Sequence, residues 1–280
     1  MKVLDLSIRK VANRIQREIK FSMNPEMKQP NWYEIQDGLA KGKKIFVAKD
    51  LFSGWEDMVS GAFDQFIYKV AHEFVEDELG ETPVIFDIGA HFGYSTLCFS
   101  ALENTHGKAK VISFEPNPHN LEALKNHLDN NDSSNVEVAP LALSDNKGSF
   151  EMMISNDIQG SQSTGSYLNG VMPPLEKSVY NKFTKTVVNT ETLDQYINDK
   201  GITPNILKID VEGAEYKVLK GAMSWLKNNQ PKKLLLIEVH NILAMHDCLN
   251  LIIQSGFITK VIDREDASTS RCFIKAVYSQ

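Results

Sequence analysis

Asp87, Gly89 and Gly93 form the most distinctive spacing of chemically useful residues in this chain of 280 residues. The apolar run 84–86 leads into Asp87, and a segment of helical character follows Gly93. This order predicts a buried strand, a tight turn and the start of a helix. Glycine lets the backbone turn sharply and leaves room for a ligand where a Cβ would clash. The segment therefore predicts a nucleotide-like cofactor at the carboxyl end of a strand.

The carboxylate of Asp87 bears on which cofactor the loop would hold. Dinucleotide-binding loops have glycine at this position, because a pyrophosphate must approach backbone amides at a helix N-terminus. A carboxylate would repel a pyrophosphate and would attract a cation. S-adenosylmethionine carries an ammonium and a sulfonium, so the spacing favours it over NAD.

The remaining loop residues are expected to contact the methionine part of that cofactor. Ala90 lies in the turn itself, and the backbone amides of Tyr94 and Ser95 would face the methionine carboxylate. His91 has two interpretations: it contacts that carboxylate or the acceptor, or it is a loop residue without a role.

Polar residues also follow the next two strand-like segments. Glu115 stands where nucleotide-binding folds place an acid on the ribose, and its two oxygens could accept both ribose hydroxyls. The alternative is a solvated strand end. Asn117 follows in the same turn. Ser144 and Asp145 are candidates for the adenine amino group, although Asp145 could equally be a turn residue.

Asp210, Glu238 and His240 are the catalytic candidates. Asp210 and His240 end neighbouring predicted strands, and Glu238 shares a strand face with His240. The three could deprotonate an acceptor hydroxyl, with Glu238 orienting His240, or could hold a divalent metal such as Mg²⁺. His240 could instead only cap the next helix. Glu212 and Glu215 open a helix, where acids stabilise the N-terminus, and Glu212 could also bind substrate.

Several of these segments resemble the FkbM-type family of class I S-adenosylmethionine-dependent methyltransferases. In chain order they are Phe86-Asp87-Ile88-Gly89-Ala90, Phe114-Glu115-Pro116-Asn117, Ala142-Leu143-Ser144-Asp145, Lys208-Ile209-Asp210-Val211-Glu212-Gly213-Ala214-Glu215 and Ile237-Glu238-Val239-His240. The resemblance spans residues 83–260. It implies methyl transfer from S-adenosylmethionine to a hydroxyl of a sugar, glycolipid or secondary metabolite. An NAD-dependent oxidoreductase and a non-catalytic cofactor-binding or scaffold protein are the alternatives.

The elements that must position these residues alternate between strand and helix. Strands are predicted at 84–88, 110–114, 135–139, 205–209 and 234–239, and helices at 93–103, 117–129, 191–198, 214–228 and 244–254. Segments 257–262 and 272–278 have no helix between them and predict a hairpin. The expected fold is α/β and Rossmann-like, with a mostly parallel seven-stranded sheet and one antiparallel edge strand, resembling class I methyltransferases.

Two regions lie outside this alternation. Residues 1–80 are expected to form an N-terminal helical extension, with a short β segment around 38–42, before a cofactor-binding domain at 81–280. Residues 4–19 combine an apolar stripe with a basic face, which predicts packing on the domain or within a homo-oligomer, or contact with an anionic membrane. The polar segment 155–184 predicts a lid over the substrate or a disordered loop.

Composition narrows the class of protein. A formal net charge of −6 argues against a dedicated nucleic-acid binder. The 3 cysteines lack C-x-x-C spacing, which predicts buried thiols and fits a reducing cytoplasm. The chain has no apolar run long enough for a transmembrane helix. The expected partner is a small-molecule or glycan acceptor.

Overall fold

A central seven-stranded sheet organises the protein. The computed structural model describes residues 31–47, 54–155, 158–159, 162–163, 166–168, 183–228, 232–240, 242–262 and 272–278. The strands of the sheet are β1 (Val84–Ile88), β2 (Lys110–Phe114), β3 (Val136–Ala139), β4 (Ile206–Ile209), β5 (Leu234–Val239), β6 (Phe257–Ile262) and β7 (Cys272–Tyr278). Their order across the sheet is β3-β2-β1-β4-β5-β7-β6.

The direction of the strands confirms the predicted fold class. β3, β2, β1, β4 and β5 are parallel, and β7 runs antiparallel to both β5 and β6. The predicted hairpin is confirmed, and its reversed strand β7 lies one place in from the edge, which β6 occupies. This arrangement leaves the carboxyl ends of the five parallel strands on one side of the sheet, where α/β folds bind ligands.

Alternate residues of each strand feed two hydrophobic cores on opposite faces of the sheet. In β1, Ile85 joins one core, whereas Phe86 and Ile88 join the other. All three side chains are at most 1% exposed. Because both faces are covered, the central strands are continuous apolar runs. Such runs allow the positions of the strands to be predicted from the sequence.

Helices cover both faces of the sheet. They span Trp55–Ser60, Gln65–Glu73 (continued by a π-helical turn, Phe74–Glu78), Tyr94–Phe99, Pro118–Asp129, Leu193–Lys200, Glu215–Lys220, Met223–Lys227 and Ile242–Gln254. The single helix predicted at 214–228 is wrong, because it is broken at Gly221. A Cβ at Gly221 would lie 2.0 Å from the carbonyl oxygen of Ser144, and Asp194 accepts from the N–H groups that begin the second helix.

A second sheet, which the sequence pattern did not predict, interrupts the alternation between β3 and β4. Its four strands are, in order across the sheet, Tyr167–Leu168, Gly148–Ser155, Phe183–Glu191 and Ala142–Leu143. We call it the insertion sheet. Part of the segment predicted as lid or disorder is thus paired with Met152 and Met153, while 169–182 lie outside the described residues. Two further pairs of short strands are Glu103–Asn104 with Gly107–Lys108 and Ile158–Gln159 with Gln162–Ser163.

The described part of the N-terminal region packs on the same domain. The β segment predicted around 38–42 is confirmed as an antiparallel hairpin of Asn31–Glu34 and Lys44–Val47. Residues from this region, among them Ile35, Trp55 and Phe74, share one hydrophobic core with the central sheet. The amphipathic helix predicted at 4–19 lies outside the described residues. No helix in the described part of the chain has both the length and the apolarity to span a bilayer.

Candidate functional site

Most of the candidate residues meet where the parallel strands end. In the register of the sheet, Asp87 of β1 stands between Ser113 of β2 and Lys208 of β4. Asp210 follows β4 directly, and His240 follows β5. The parallel topology therefore brings together residues that are far apart in the sequence.

Asp87 is fully buried, which changes its expected role. Its Oδ2 accepts hydrogen bonds of 2.7 Å from both Ser95 and Thr96, and its Oδ1 lies 3.3 Å from Nζ of Lys208. With an exposed fraction of 0%, the carboxylate has no surface for a cationic ligand in this conformation. Asp87 instead anchors the first turn of the Tyr94–Phe99 helix and balances the charge of Lys208.

Lys208 links the loop 89–93, which we call the glycine loop, to Asp210. Its Nζ donates to the carbonyl of Gly89 at 3.0 Å and lies 3.5 Å from Oδ2 of Asp210. Burial opposes the charge of Lys208, but the carboxylates of Asp87 and Asp210 outweigh it and raise the lysine pKa above its ordinary value. The ammonium of Lys208 therefore stays charged and connects Asp87 and Gly89 with Asp210.

The glycine loop is shaped as much by packing as by space for a ligand. Gly89 has a φ of +80°, and a Cβ there would lie 1.8 Å from the carbonyl oxygen of Asp210. Gly93 has a φ of +97°, and its Cβ would lie 2.4 Å from the side chain of Leu124. The N–H groups of Gly89 and Ala90 both donate to the carbonyl of Phe114, which ties the loop to the end of β2.

Glu115 follows β2 and is hydrogen-bonded to this loop. Its Oε2 accepts from the N–H of His91 at 2.9 Å, and its Oε1 accepts from the N–H of Asn117 at 2.8 Å. Burial raises the pKa of Glu115 to about 7, although these backbone bonds act in the opposite direction. The side chain of Asn120 also forms a hydrogen bond to this carboxylate. Two carboxylate oxygens offer about four acceptor positions, so three bonds leave capacity for a hydroxyl. His91 has a φ of +53°, an uncommon conformation that this bond supports.

The other predicted cofactor residues have structural partners. Asn117 caps the Pro118–Asp129 helix by accepting from the N–H of His119, and its amide donates to Ser166. Tyr94 is buried, with its ring 5.5 Å from that of Phe63. Ser144, which is buried, donates to Asp145 at 3.2 Å. The carboxylate of Asp145 also lies 3.5 Å from Nζ of Lys220.

His240 is at the centre of a cluster of carboxylates. Its Nε2 lies 3.5 Å from Oδ1 of Asp210, 3.5 Å from Oε2 of Glu212 and 4.0 Å from Oε1 of Glu238. Its Nδ1 lies 2.7 Å from Oε1 of Glu215. The carboxylate that orients the ring is therefore Glu215. The sequence had predicted Glu238 for this role.

The charges of this cluster determine which groups can accept a proton. Burial opposes protonation of His240, but the hydrogen bond to Glu215 and the charges of Asp210 and Glu212 outweigh it and raise the pKa to about 9. With no cation beside it, the imidazole is thus protonated near pH 7. The side chains of Asp210 and Glu212 are 31% and 30% exposed, whereas that of Glu238 is 3% exposed. An incoming hydroxyl would meet Asp210 or Glu212 first.

Glu215 is the site residue that sequence reasoning missed. It is 0% exposed and accepts from the N–H of Gly213 as well as from His240. The bond from the N–H of Gly213 stabilises a tight turn in which Glu212 has a φ of +51°. The sequence placed Glu215 at a helix N-terminus, which explains its charge fully, and nothing local indicates a contact with a residue 25 positions away.

Comparison with known proteins identifies relatives of this chain. Residues 87–257 match the family described as the methyltransferase FkbM domain. The chain is 28% identical over 192 residues to the hexuronic acid methyltransferase AglP of Haloferax volcanii, covering 66% of this chain and 67% of that protein. It is 28% identical over 179 residues to the methyltransferase sdnD of Sordaria araneosa, covering 56% and 68%.

A solved structure is also similar. The crystal structure of the methyltransferase FkbM from Methylobacillus flagellatus matches with 21% identity and a TM-score of 0.48. The match covers 69% of this chain and 43% of that longer one.

Proposed function

Because the chain belongs to the FkbM methyltransferase family, we propose that it transfers a methyl group from S-adenosylmethionine to a hydroxyl of a sugar or a related polyhydroxylated acceptor. One observation carries the proposal. Lys208 donates to Gly89 of the glycine loop and lies 3.5 Å from Asp210, which holds a partly exposed acid beside the loop. A methyl donor on the loop would then lie next to a group that can take the acceptor's proton.

The residues around the loop fit this donor. Glu115 retains acceptor capacity for a ribose hydroxyl beyond its bonds to His91, Asn117 and Asn120, and its backbone partners fix its orientation. Asp145 is the candidate for the adenine amino group, since its carboxylate is 27% exposed. S-adenosylmethionine, when bound, supplies a methyl group already activated by its sulfonium.

The chain's own residues contribute positioning and proton removal. As the acceptor oxygen forms its bond to the methyl carbon, the carbon–sulfur bond breaks and its electron pair stays on sulfur. The hydroxyl proton passes to the carboxylate of Asp210. Lys208 stabilises the ionised form of Asp210, while Glu215 holds His240 in place behind it.

The acceptor class is drawn from the relatives and from the chemistry of the site. AglP is named for a hexuronic acid, so sugar acids are the first acceptors to test. Purified protein with S-adenosylmethionine labelled in its methyl group should label hexuronic acid glycosides or the matching neutral hexosides. Asp210→Asn should lose most of the transfer while still binding S-adenosylhomocysteine. Folded protein that binds NADH but not S-adenosylhomocysteine would overturn the proposal.

A further inference from the structure

The most unusual atom of the acidic cluster is Nε2 of His240. The His240 side chain is 3% exposed, and this buried nitrogen has no hydrogen-bond partner among the residues that the structure describes. It faces carboxylate oxygens of Asp210 and Glu238 at 3.5 and 4.0 Å. One ligand atom from each of these three residues lies within 4.8 Å of the others. We propose that Asp210, Glu238 and His240 form a binding site for a divalent cation.

The second nitrogen of the ring supports this assignment. Nδ1 of His240 lies 2.7 Å from Glu215, which is itself fully buried and fixed by the N–H of Gly213. A carboxylate only accepts, so Nδ1 carries the proton of that bond and the lone pair of a neutral ring is on Nε2. Histidines that bind metals are held in this way, with the distal N–H given to a carboxylate that fixes the tautomer.

The charge around the ring favours a cation over an additional neutral ligand. Asp210, Glu212, Glu215 and Glu238 approach one imidazole, and among the described residues the lysine beside them is Lys208, which is shared with Asp87. Glu215 and Glu238 are buried, and buried negative charge is unfavourable unless positive charge balances it. A divalent ion would supply that balance at the point where Nε2 and the carboxylates converge.

The donor set indicates the kind of ion. Carboxylate oxygens suit Mg²⁺ and Mn²⁺, and one imidazole shifts the preference towards Mn²⁺. In an octahedral site with bonds of 2.0–2.1 Å, adjacent ligand atoms lie about 3 Å apart, so side-chain movements of an ångström or less would close the site. Asp210 and Glu212 form its exposed side.

The role of the ion rests on the proposed function, whereas its binding does not. Coordinated to the ion, an acceptor hydroxyl has a lowered pKa and gives up its proton more readily. The ion would also offset the repulsion between this acidic site and an anionic acceptor such as a sugar acid.

The test is Mn²⁺ binding to the full chain, followed by electron paramagnetic resonance and calorimetry without any methyl donor or acceptor. One ion should bind per chain. His240→Gln and Glu238→Gln should weaken binding at least tenfold, and Glu215→Gln by roughly 10- to 100-fold through the lost support of the ring. His246→Gln is the matched control, because His246 is 76% exposed and lies outside the cluster, and its affinity should equal that of the unmodified chain.

Absence of binding of Mn²⁺, Mg²⁺ and Zn²⁺ at millimolar concentration by the folded chain would overturn the site. Equal affinity of the His240→Gln variant would also overturn it. Circular dichroism confirms that each variant is folded. Methyl transfer that persists in EDTA, together with an absence of ion binding, removes the site and leaves the proposed function intact. Ion binding by a folded chain that does not bind S-adenosylhomocysteine would support the site and overturn the proposed function.

Discussion

Nζ of Lys208 lies 3.3 Å from Oδ1 of Asp87 inside the central sheet, and the two side chains are 9% and 0% exposed. The strands β4 and β1 place the pair directly opposite each other in register. A buried ion pair contributes little over an apolar pair, but the loss of one partner leaves an uncompensated buried charge. Asp87 and Lys208 are therefore dependent on each other.

Lys208→Met should destabilise the fold by about 3 to 5 kcal/mol, because Asp87 would remain buried without its ammonium. Urea denaturation measures the change. Lys200→Met is the matched control, because Lys200 forms an exposed pair with Glu137 at 3.1 Å, and its loss should cost less than about 1 kcal/mol. The double variant Asp87→Asn, Lys208→Met should recover part of the stability. Equal effects of the two single lysine variants would contradict this prediction.

Gly89→Ala should disrupt the site far more than Gly42→Ala. Both glycines have similar left-handed backbones, with φ of +80° and +82°. A Cβ at Gly42 would meet no described atom within 4 Å, whereas one at Gly89 would lie 1.8 Å from the carbonyl oxygen of Asp210. The control should lose only about 1 to 2 kcal/mol for the left-handed conformation. Gly89→Ala should lose clearly more and should also bind S-adenosylhomocysteine more weakly, as calorimetry and urea denaturation can show.

Stability should decrease with pH over the range in which Glu115 ionises. Burial raises its pKa in the folded chain to about 7 from an ordinary value of 4.5. The favourable contribution is therefore fully present below pH 4.5 and is lost as the pH rises through about 7. The change is on the order of 3 kcal/mol. Glu115→Gln should show a flatter dependence between these two pH values, and an unchanged slope would contradict the assignment.

Affinity for S-adenosylhomocysteine should change in the opposite direction. An ionised carboxylate is the stronger acceptor for the ribose hydroxyls, so binding should tighten as the pH rises through about 7, the pKa of Glu115. Calorimetry at pH 6 and pH 8 checks this expectation. Glu115→Gln should bind weakly at both values, and a variant that retains the pH dependence would place its origin elsewhere.

His127→Phe should weaken both the fold and the glycine loop. Nε2 of His127 accepts from the N–H of Phe46, and its Nδ1 lies 2.6 Å from the carbonyl of Phe92, which is next to His91 in the loop. Phenylalanine would leave both backbone groups without this partner, at about 1 to 3 kcal/mol for each buried group. His106→Phe, at an exposed position, should have little effect in the same denaturation experiment.

The central strands were predictable because they are buried on both faces. β1, β2 and β5 match the predicted bounds to the residue, since their apolar runs end abruptly at charged or turn-forming positions. The insertion sheet was not predicted, since its longest strands, Gly148–Ser155 and Phe183–Glu191, are partly exposed and carry many polar residues. The break at Gly221 depends on the approach of Ser144, which no local pattern encodes.

Candidate residues were found where their position on a strand indicated them. Glu115, Asp210 and His240 each follow a buried strand, so the parallel topology indicated that they belong to one side of the sheet. The roles of Asp87 and Glu215 were different from those expected. Both depend on contacts across the fold, with Lys208 and His240 respectively, and a charged residue has the same appearance in the sequence with or without such a partner.

The hydroxyl of Ser166 accepts from the amide of Asn117 and from the backbone N–H of Ser155. Asn117 in turn donates its backbone N–H to Glu115. The insertion sheet, the cap of the Pro118–Asp129 helix and Glu115, the acid proposed to bind the ribose, are therefore joined by hydrogen bonds. If Glu115 binds the donor as proposed, a substitution in the insertion sheet can reach donor affinity through Ser166 and Asn117, so variants of this sheet have to be assayed for donor binding as well as for turnover.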